Sequence, residues 1–374
     1  MSEPIRRIAI SLGGGYVPGL GSVVRALARS AQHKGWEVLG IRDGFDGLLC
    51  PERYADGGVI TIDADAVCEE GSLLGTGPRI DPFRMQLPSA EGFIEEVDAS
   101  ERILDRLREQ RIDALVGIVG GSAVTGAYAL SVLWKLSRKG LPCVCIPKSV
   151  ENDLFATAQP FGYDSILAYT TQMLSRIRIA ARDQGRVALV ELPGQYAGWL
   201  ALDAGLAAGA DVILIPERAY HVASVARHID AHPDSALILV AEGAHADGLP
   251  EQAEHQTHAG YSGSAVIQRA GRVLRQVHEE IQRCSGREIF PLLLDQLVRA
   301  GEVTATDRIL GAGYAVSAVN ALADGKTAHL LAARDADFVA VSLADAVNRV
   351  RTIEPKATAL VRARALGICL GESA

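Results

Sequence analysis

Lys148, Ser149, Glu151, Asn152 and Asp153 lie within six residues, directly after the apolar run Leu141-Pro-Cys-Val-Cys-Ile146 and Pro147. The run has the length and β-branched content of a buried strand. Three ionisable groups just past its end are hard to place in a core, where an unpaired charge costs several kcal/mol. The mouth of a cleft suits them better, because open parallel sheets bind ligands outside the carboxyl ends of their strands. There a lysine can stabilise transferring anionic charge, one carboxylate can take a proton, and the other can support a divalent cation. A solvated turn is the alternative reading, and a lysine with two carboxylates tips the balance towards a site.

Two glycine clusters have the same placement. Gly13-Gly14-Gly15-Tyr16-Val17-Pro18-Gly19-Leu20-Gly21 stands between a predicted strand and a predicted helix, and so does Gly120-Gly121-Ser122-Ala123. Glycines there let backbone N–H groups approach a phosphate, and the helix N-terminus adds a favourable dipole. Neither cluster is a dinucleotide fingerprint or a P-loop. Alone, each could equally be a tight turn; converging from one sheet with Lys148, they predict a shared phosphate cradle.

The elements that must position these residues alternate. Strands are predicted at 7–12, 38–41, 114–119 and 141–146, with helices at 22–33, 103–108 and 127–136 between them. The pattern resumes with a helix at 169–182, a strand at 186–191, a helix at 201–208, and strands at 211–215 and 236–240. This alternation implies parallel sheets with helices on both faces. The second half is predicted to begin near 155–165 with no Pro/Ser linker, so the halves should be in tight contact. Residues 246–262 read as an exposed loop.

Bulk properties exclude several classes. The chain has 374 residues, 48% of them apolar, and a formal charge of -8, which argues against nucleic-acid or anionic-membrane partners. A polyanionic ligand would need a local basic pocket. Six cysteines form no CxxC pair, and Cys143 and Cys145 suit one face of a strand better than a metal site. With no apolar stretch long enough to span a bilayer and no signal-peptide pattern, a cytoplasmic protein is expected.

Taken together, GGGYVPGL at 13–20, Gly120-Gly121 and PKSVEND at 147–153 resemble the 6-phosphofructokinase family. There the segments read GG(G)DxPGxN, GGDGS or GGDDS, and P(G/K)TIDND. The likeness extends to Glu70–Arg79, Phe161–Ser165, Arg186–Gly198, Pro216-Glu217, Ala241–Gly243 and Arg299–Arg308. It implies two Rossmann-like α/β/α lobes with the active site between them. One comprises 1–160 plus about 300–345 and takes the phosphoryl donor, ATP or pyrophosphate. The other, 161–299 plus about 346–374, takes fructose 6-phosphate. Carried over by position, Gly13, Gly14, Gly15, Tyr16, Arg79, Gly120, Gly121, Ser122 and Ala123 face the donor. Ser149, Arg186, Pro193, Gly194, Gln195, Glu242, Gln296 and Arg299 face the sugar phosphate, with a weaker match at Arg287. Arg186 would reach a neighbouring subunit's site, implying a homodimer or homotetramer. Glu151 would be the base, Lys148 and Arg79 would stabilise the transferring group, and Asp153 would support Mg²⁺.

The departures from the family pattern concentrate on the reacting atoms. Glu151 stands for the family's Asp base, Ser122 for its metal-binding Asp, Tyr16 for the Asp of GGDxPG, Gln195 for an Arg, and Gln296 for a His. An added methylene moves the base by about 1 Å, enough to cost on the order of 100-fold. Two function classes therefore stand: a phosphotransferase with altered specificity, or an inactive relative that binds a nucleotide or sugar phosphate. A non-kinase enzyme is a third. Lys148 with Ala123 leaves the donor open, leaning to ATP.

Overall fold

The computed structural model describes residues 4–68, 71–77, 80–89, 92–120, 130–234, 236–248, 271–335 and 337–373. Arg79, Gly121, Ser122 and Ala123, all predicted to face the donor, lie outside them, as does most of 246–262.

The first sheet contains β1 (Arg7–Leu12), β2 (Glu37–Ile41), β3 (Val59–Thr61), β6 (Ala114–Val119), β7 (Cys143–Pro147), β12 (His329–Arg334) and β13 (Asp337–Ser342). Its order is β13-β12-β7-β6-β1-β2-β3. The five central strands are parallel, whereas β3 and β13 pair antiparallel at the two edges. The sheet is thus mixed, where alternation alone predicted a parallel one. A short connection explains the β13 edge: a crossover must precede a parallel strand, and only two residues separate β12 from β13. The chain runs from β1 outwards to β2 and then returns to lay β6 on the opposite side of β1. That reversal opens a crevice at the strand C-termini.

A second sheet, β11-β8-β10-β9, is formed by β8 (Val187–Leu192), β9 (Val212–Leu214), β10 (Leu237–Ala241) and β11 (Ile289–Leu293). All its pairings are parallel. A hairpin of β4 (Met85–Pro88) and β5 (Ile94–Val97) stands apart from both sheets. Among the described residues the longer helices are α1 (Leu20–His33), α2 (Ser100–Glu109), α3 (Leu130–Arg138), α4 (Tyr163–Asp183), α5 (Trp199–Ala208), α6 (Val222–Ala231), α7 (Arg272–Cys284), α8 (Ala305–Ala323) and α9 (Thr358–Ala365). None is long and apolar enough to cross a membrane.

One hydrophobic cluster runs from Ile8, Ile10 and Val116 of the first sheet to Ala188, Val190 and Leu239 of the second, so the halves share a core. Cys143 and Cys145 project from the same face of β7 into a separate cluster on the far side of the first sheet, and both are buried free thiols. Helix α4 starts at Tyr163, six residues earlier than periodicity suggested. Buried Asp307 on α8 accepts from Gly162 N at 2.8 Å and from Ser165 N at 2.7 Å, satisfying donors that the helix start leaves open. No local signal announces a cap supplied from 140 residues away.

Candidate active site

β7, β6 and β1 are neighbours, and their C-terminal ends carry Lys148, Gly120 and Gly13 respectively. Lys148 N donates to Val119 O at 2.8 Å and Gly13 N to Ile118 O at 3.1 Å, continuing the ladder into the turns. Gly14 and Gly15 have φ of +81° and +79°, and a side chain on Gly14 would sit 2.8 Å from Gly120 O. Only glycine allows this backbone and this approach. Gly15 N donates to Thr76 O at 3.1 Å, which brings the 71–77 loop over the turn.

The ionisable groups are deeper than a cleft mouth. Lys148 and Asp153 are each 1% exposed, and Ser149 and Asn152 are also buried. Each has local polar partners. Lys148 Nζ donates to Gly14 O at 2.9 Å and Gly15 O at 2.7 Å. Burial, assisted by the Arg299 charge, holds its ammonium well below the ordinary lysine value. Ser149 Oγ accepts from Glu151 N and Asn152 N and donates to Asp153 Oδ1 at 3.0 Å. One hydroxyl thereby shapes the turn, with Asn152 in the left-handed region at φ +56°.

Glu151 Oε2 accepts from Gln195 N at 3.2 Å, so the loop after β7 meets the loop after β8. Part of Glu151 reaches the surface, but its carboxyl is surrounded by protein. Burial first, then the charges of Asp153 and Glu242, push that carboxyl well above the usual range. A group held this way binds a proton more readily than a solvated glutamate does. Glu242 N donates to Leu192 O, and Gly243 N to Gly194 O. A side chain on Gly243 would stand 2.0 Å from Gln195 O. Pro193, Gly194, Gln195 and Glu242 are therefore gathered opposite Glu151.

The fit of a divalent cation can be judged at Asp153. Its Oδ2 is buried with no hydrogen-bond partner, and burial raises its carboxyl. An acceptor left open in this way is what a cation needs. Among the described residues no three His, Cys, Asp or Glu side chains group as a metal site, so the protein would supply one carboxylate and bound phosphates the remaining oxygens.

Four of the expected residues are held by other partners within the chain. Arg299 Nη1 donates to Tyr16 O at 2.9 Å and lies against Gly15, and its charge also acts on Lys148 and Glu151. Gln296 is exposed and donates to its neighbour Asp295 at 3.1 Å. Arg186 immediately precedes β8, at the opposite end of that strand from Pro193, and pairs with Glu288 at 3.0 Å. Arg287 Nη1 donates to Pro233 O. Arg186 and Arg287 do not join this chain's own cleft.

The family model for Phosphofructokinase matches residues 7–322. The chain belongs to the phosphofructokinase family. It is 33% identical over its whole length to an ATP-dependent 6-phosphofructokinase of Chloroflexus aggregans, covering 99% of that protein. It is also 33% identical over 94% of its length to a pyrophosphate–fructose 6-phosphate 1-phosphotransferase of Amycolatopsis methanolica, covering 97% of it. The pyrophosphate-dependent phosphofructokinase of Marinobacter aquaeolei superposes with a TM-score of 0.72 at 18% identity, covering 98% of this chain and 88% of that one. The phosphofructokinase fold is thus shared at an identity where sequence carries little else.

Some residues that build the site were given no role by the sequence, including Glu191, which lies within the family-like stretch Arg186–Gly198. Glu191 on β8 accepts from Gly271 N at 2.9 Å and Leu274 N at 2.7 Å, capping α7. Arg351 donates to Asn152 O and Asp153 O beside Glu151, and Trp199 Nε1 donates to Arg351 O. A buried carboxylate within an apolar strand is the one local clue to Glu191; nothing local marks the other two.

Proposed function

We propose that the chain is a phosphotransferase that moves a phosphoryl group from ATP or pyrophosphate to fructose 6-phosphate or a related sugar phosphate. The observation that carries this is the convergence of Gly14, Gly120 and Lys148 at three adjacent strand ends, with Glu151 bonded across the cleft to Gln195. In the proposed reaction Glu151 takes the proton of the acceptor hydroxyl. That oxygen attacks the terminal phosphorus, and the bridging P–O bond breaks to release ADP or phosphate. Lys148 stabilises charge on the transferring group. Asp153 would hold Mg²⁺, whose contribution when bound is to neutralise phosphate charge. The lobe boundaries at about 160, 300 and 345 are proposed with this division of labour: donor on the first sheet, sugar on the second. Arg186, remote from its own cleft, is proposed to serve a partner's site in a cytoplasmic homo-oligomer.

The test is product formation by the purified chain with fructose 6-phosphate, ATP or pyrophosphate, and Mg²⁺ present or withheld. Turnover with one donor that depends on Mg²⁺ supports the reading. A second reading, a binding protein without turnover, is favoured by the replacements Ser122, Gln195 and Gln296. It predicts a thermal shift with a phosphorylated ligand and no transfer to any hexose phosphate.

A further inference from the structure

The loop carrying Glu151 and Asp153 is held from behind by a segment that none of the motifs includes. Residues 349–353 run from the end of the first sheet towards α9 of the second half and lie along residues 152–155. Val350 forms an antiparallel bridge with Leu154. Arg349 places its guanidinium 3.6 Å from the centre of the Phe155 ring. Arg351 donates twice to consecutive carbonyls, from its backbone N to Asp153 O at 2.8 Å and from Nη1 to Asn152 O at 3.1 Å.

We infer that Arg351 is a positioning residue for Glu151 and Asp153, locked by Trp199. The inference rests on the phosphotransferase reading above. The guanidinium lies 3.9 Å from the centre of the Trp199 ring, and Trp199 Nε1 donates back to Arg351 O at 2.8 Å. Each partner thus fixes the other. Glu217 ties both ends of the pair together: its carboxylate accepts from Gly198 N at 3.2 and 3.1 Å and from Ile353 N at 2.9 Å. These are the residue before Trp199 and the second residue after Arg351.

The loop needs such a brace. Asn152 is left-handed, and its buried Oδ1 has no hydrogen-bond partner, which leaves its side chain held only where it meets the Tyr163 side chain. The fork on Asn152 O and Asp153 O holds the backbone between base and cation ligand. A displacement of about 1 Å there would cost on the order of 100-fold in rate. Only arginine offers a planar group that stacks on an indole while donating from its edge. Lysine keeps the charge and loses that geometry.

The experiment compares wild type with R351A, R351K and W199F in full-length protein, by steady-state kinetics and by hydrogen–deuterium exchange. We expect kcat to fall about 10–100-fold in R351A, with KM for the donor within about threefold. R351K should recover little of it, and W199F, which keeps an aromatic face under an intact Arg351, should retain most of the wild-type kcat. Exchange at residues 150–154 should accelerate in R351A while β7 stays protected. A kcat in R351A within twofold of wild type overturns the inference, and so does full rescue by R351K, which would make charge the operative property. If wild type shows no transfer, the phosphotransferase reading falls. Exchange at 150–154 then decides the brace by itself, and unchanged exchange in R351A overturns it.

Discussion

Glu151 and Asp153 stand two residues apart and are treated differently by the fold. Glu151 keeps one hydrogen bond across the cleft, whereas Asp153 has one oxygen satisfied by Ser149 and one left open. Replacing Glu151 with Gln preserves shape and removes the proton acceptor. The expected outcome is a loss of kcat by about 10²–10⁴-fold with donor affinity retained, measured by coupled turnover and by donor titration. Retained turnover would place the base elsewhere. Gly14 makes a different demand. Alanine there must adopt φ +81° with its Cβ 2.8 Å from Gly120 O. Gly14→Ala should cost on the order of 1–3 kcal/mol of stability and abolish donor binding, read by urea denaturation and calorimetry.

At the scale of elements, acidic side chains placed far away in sequence cap the starts of two helices, α7 and α4. Glu191 is 1% exposed and satisfies two amides at the N-terminus of α7. Asp307 does the same for α4. Burial raises both carboxyls, while the donated amides pull them down. Removing such an acceptor leaves two buried donors unsatisfied, at about 1–3 kcal/mol each. Glu191→Ala should therefore lower the urea midpoint markedly, and Glu191→Gln less, because the amide oxygen still accepts. Equal effects of the two changes would show that α7 does not depend on this acceptor.

For the whole molecule, the C-terminal strand-like segment closes the second sheet. Cys369 bridges to Val212, and Glu372 then receives Arg218 at 2.5 Å and Arg364 at 2.7 Å. The two guanidinium groups, Arg364 foremost, hold the Glu372 carboxyl below its ordinary value of 4.5. Its folded value is depressed, so its contribution is present above about 4.5 and is lost as pH falls towards the folded value. Wild type and Glu372→Gln should differ in thermal midpoint at pH 7 and converge only in acid, once pH has fallen through the depressed folded value. A difference that persists in acid would mean that packing of the segment, not the ion pair, supplies the stability.

The sequence alone carried the β–α alternation, because buried strands and amphipathic helices impose their own periods on neighbouring residues. It also carried Gly14, Gly120 and Lys148, whose types are fixed by local backbone and by what a strand end can hold. The mixed edges, the early start of α4, Glu191 as a cap and the Arg351–Trp199 brace were not legible there. Apart from the edges, which follow from connections between strands close in sequence, each depends on groups brought together from 80 to more than 150 residues apart, and no local period records such a meeting. The burial of Lys148 and Asp153 is the clearest case. From composition their charges belong at a surface. Only the assembled fold supplies the Gly14 and Gly15 carbonyls and the Ser149 hydroxyl that let them lie inside, because a charge can leave water only where polar partners replace it.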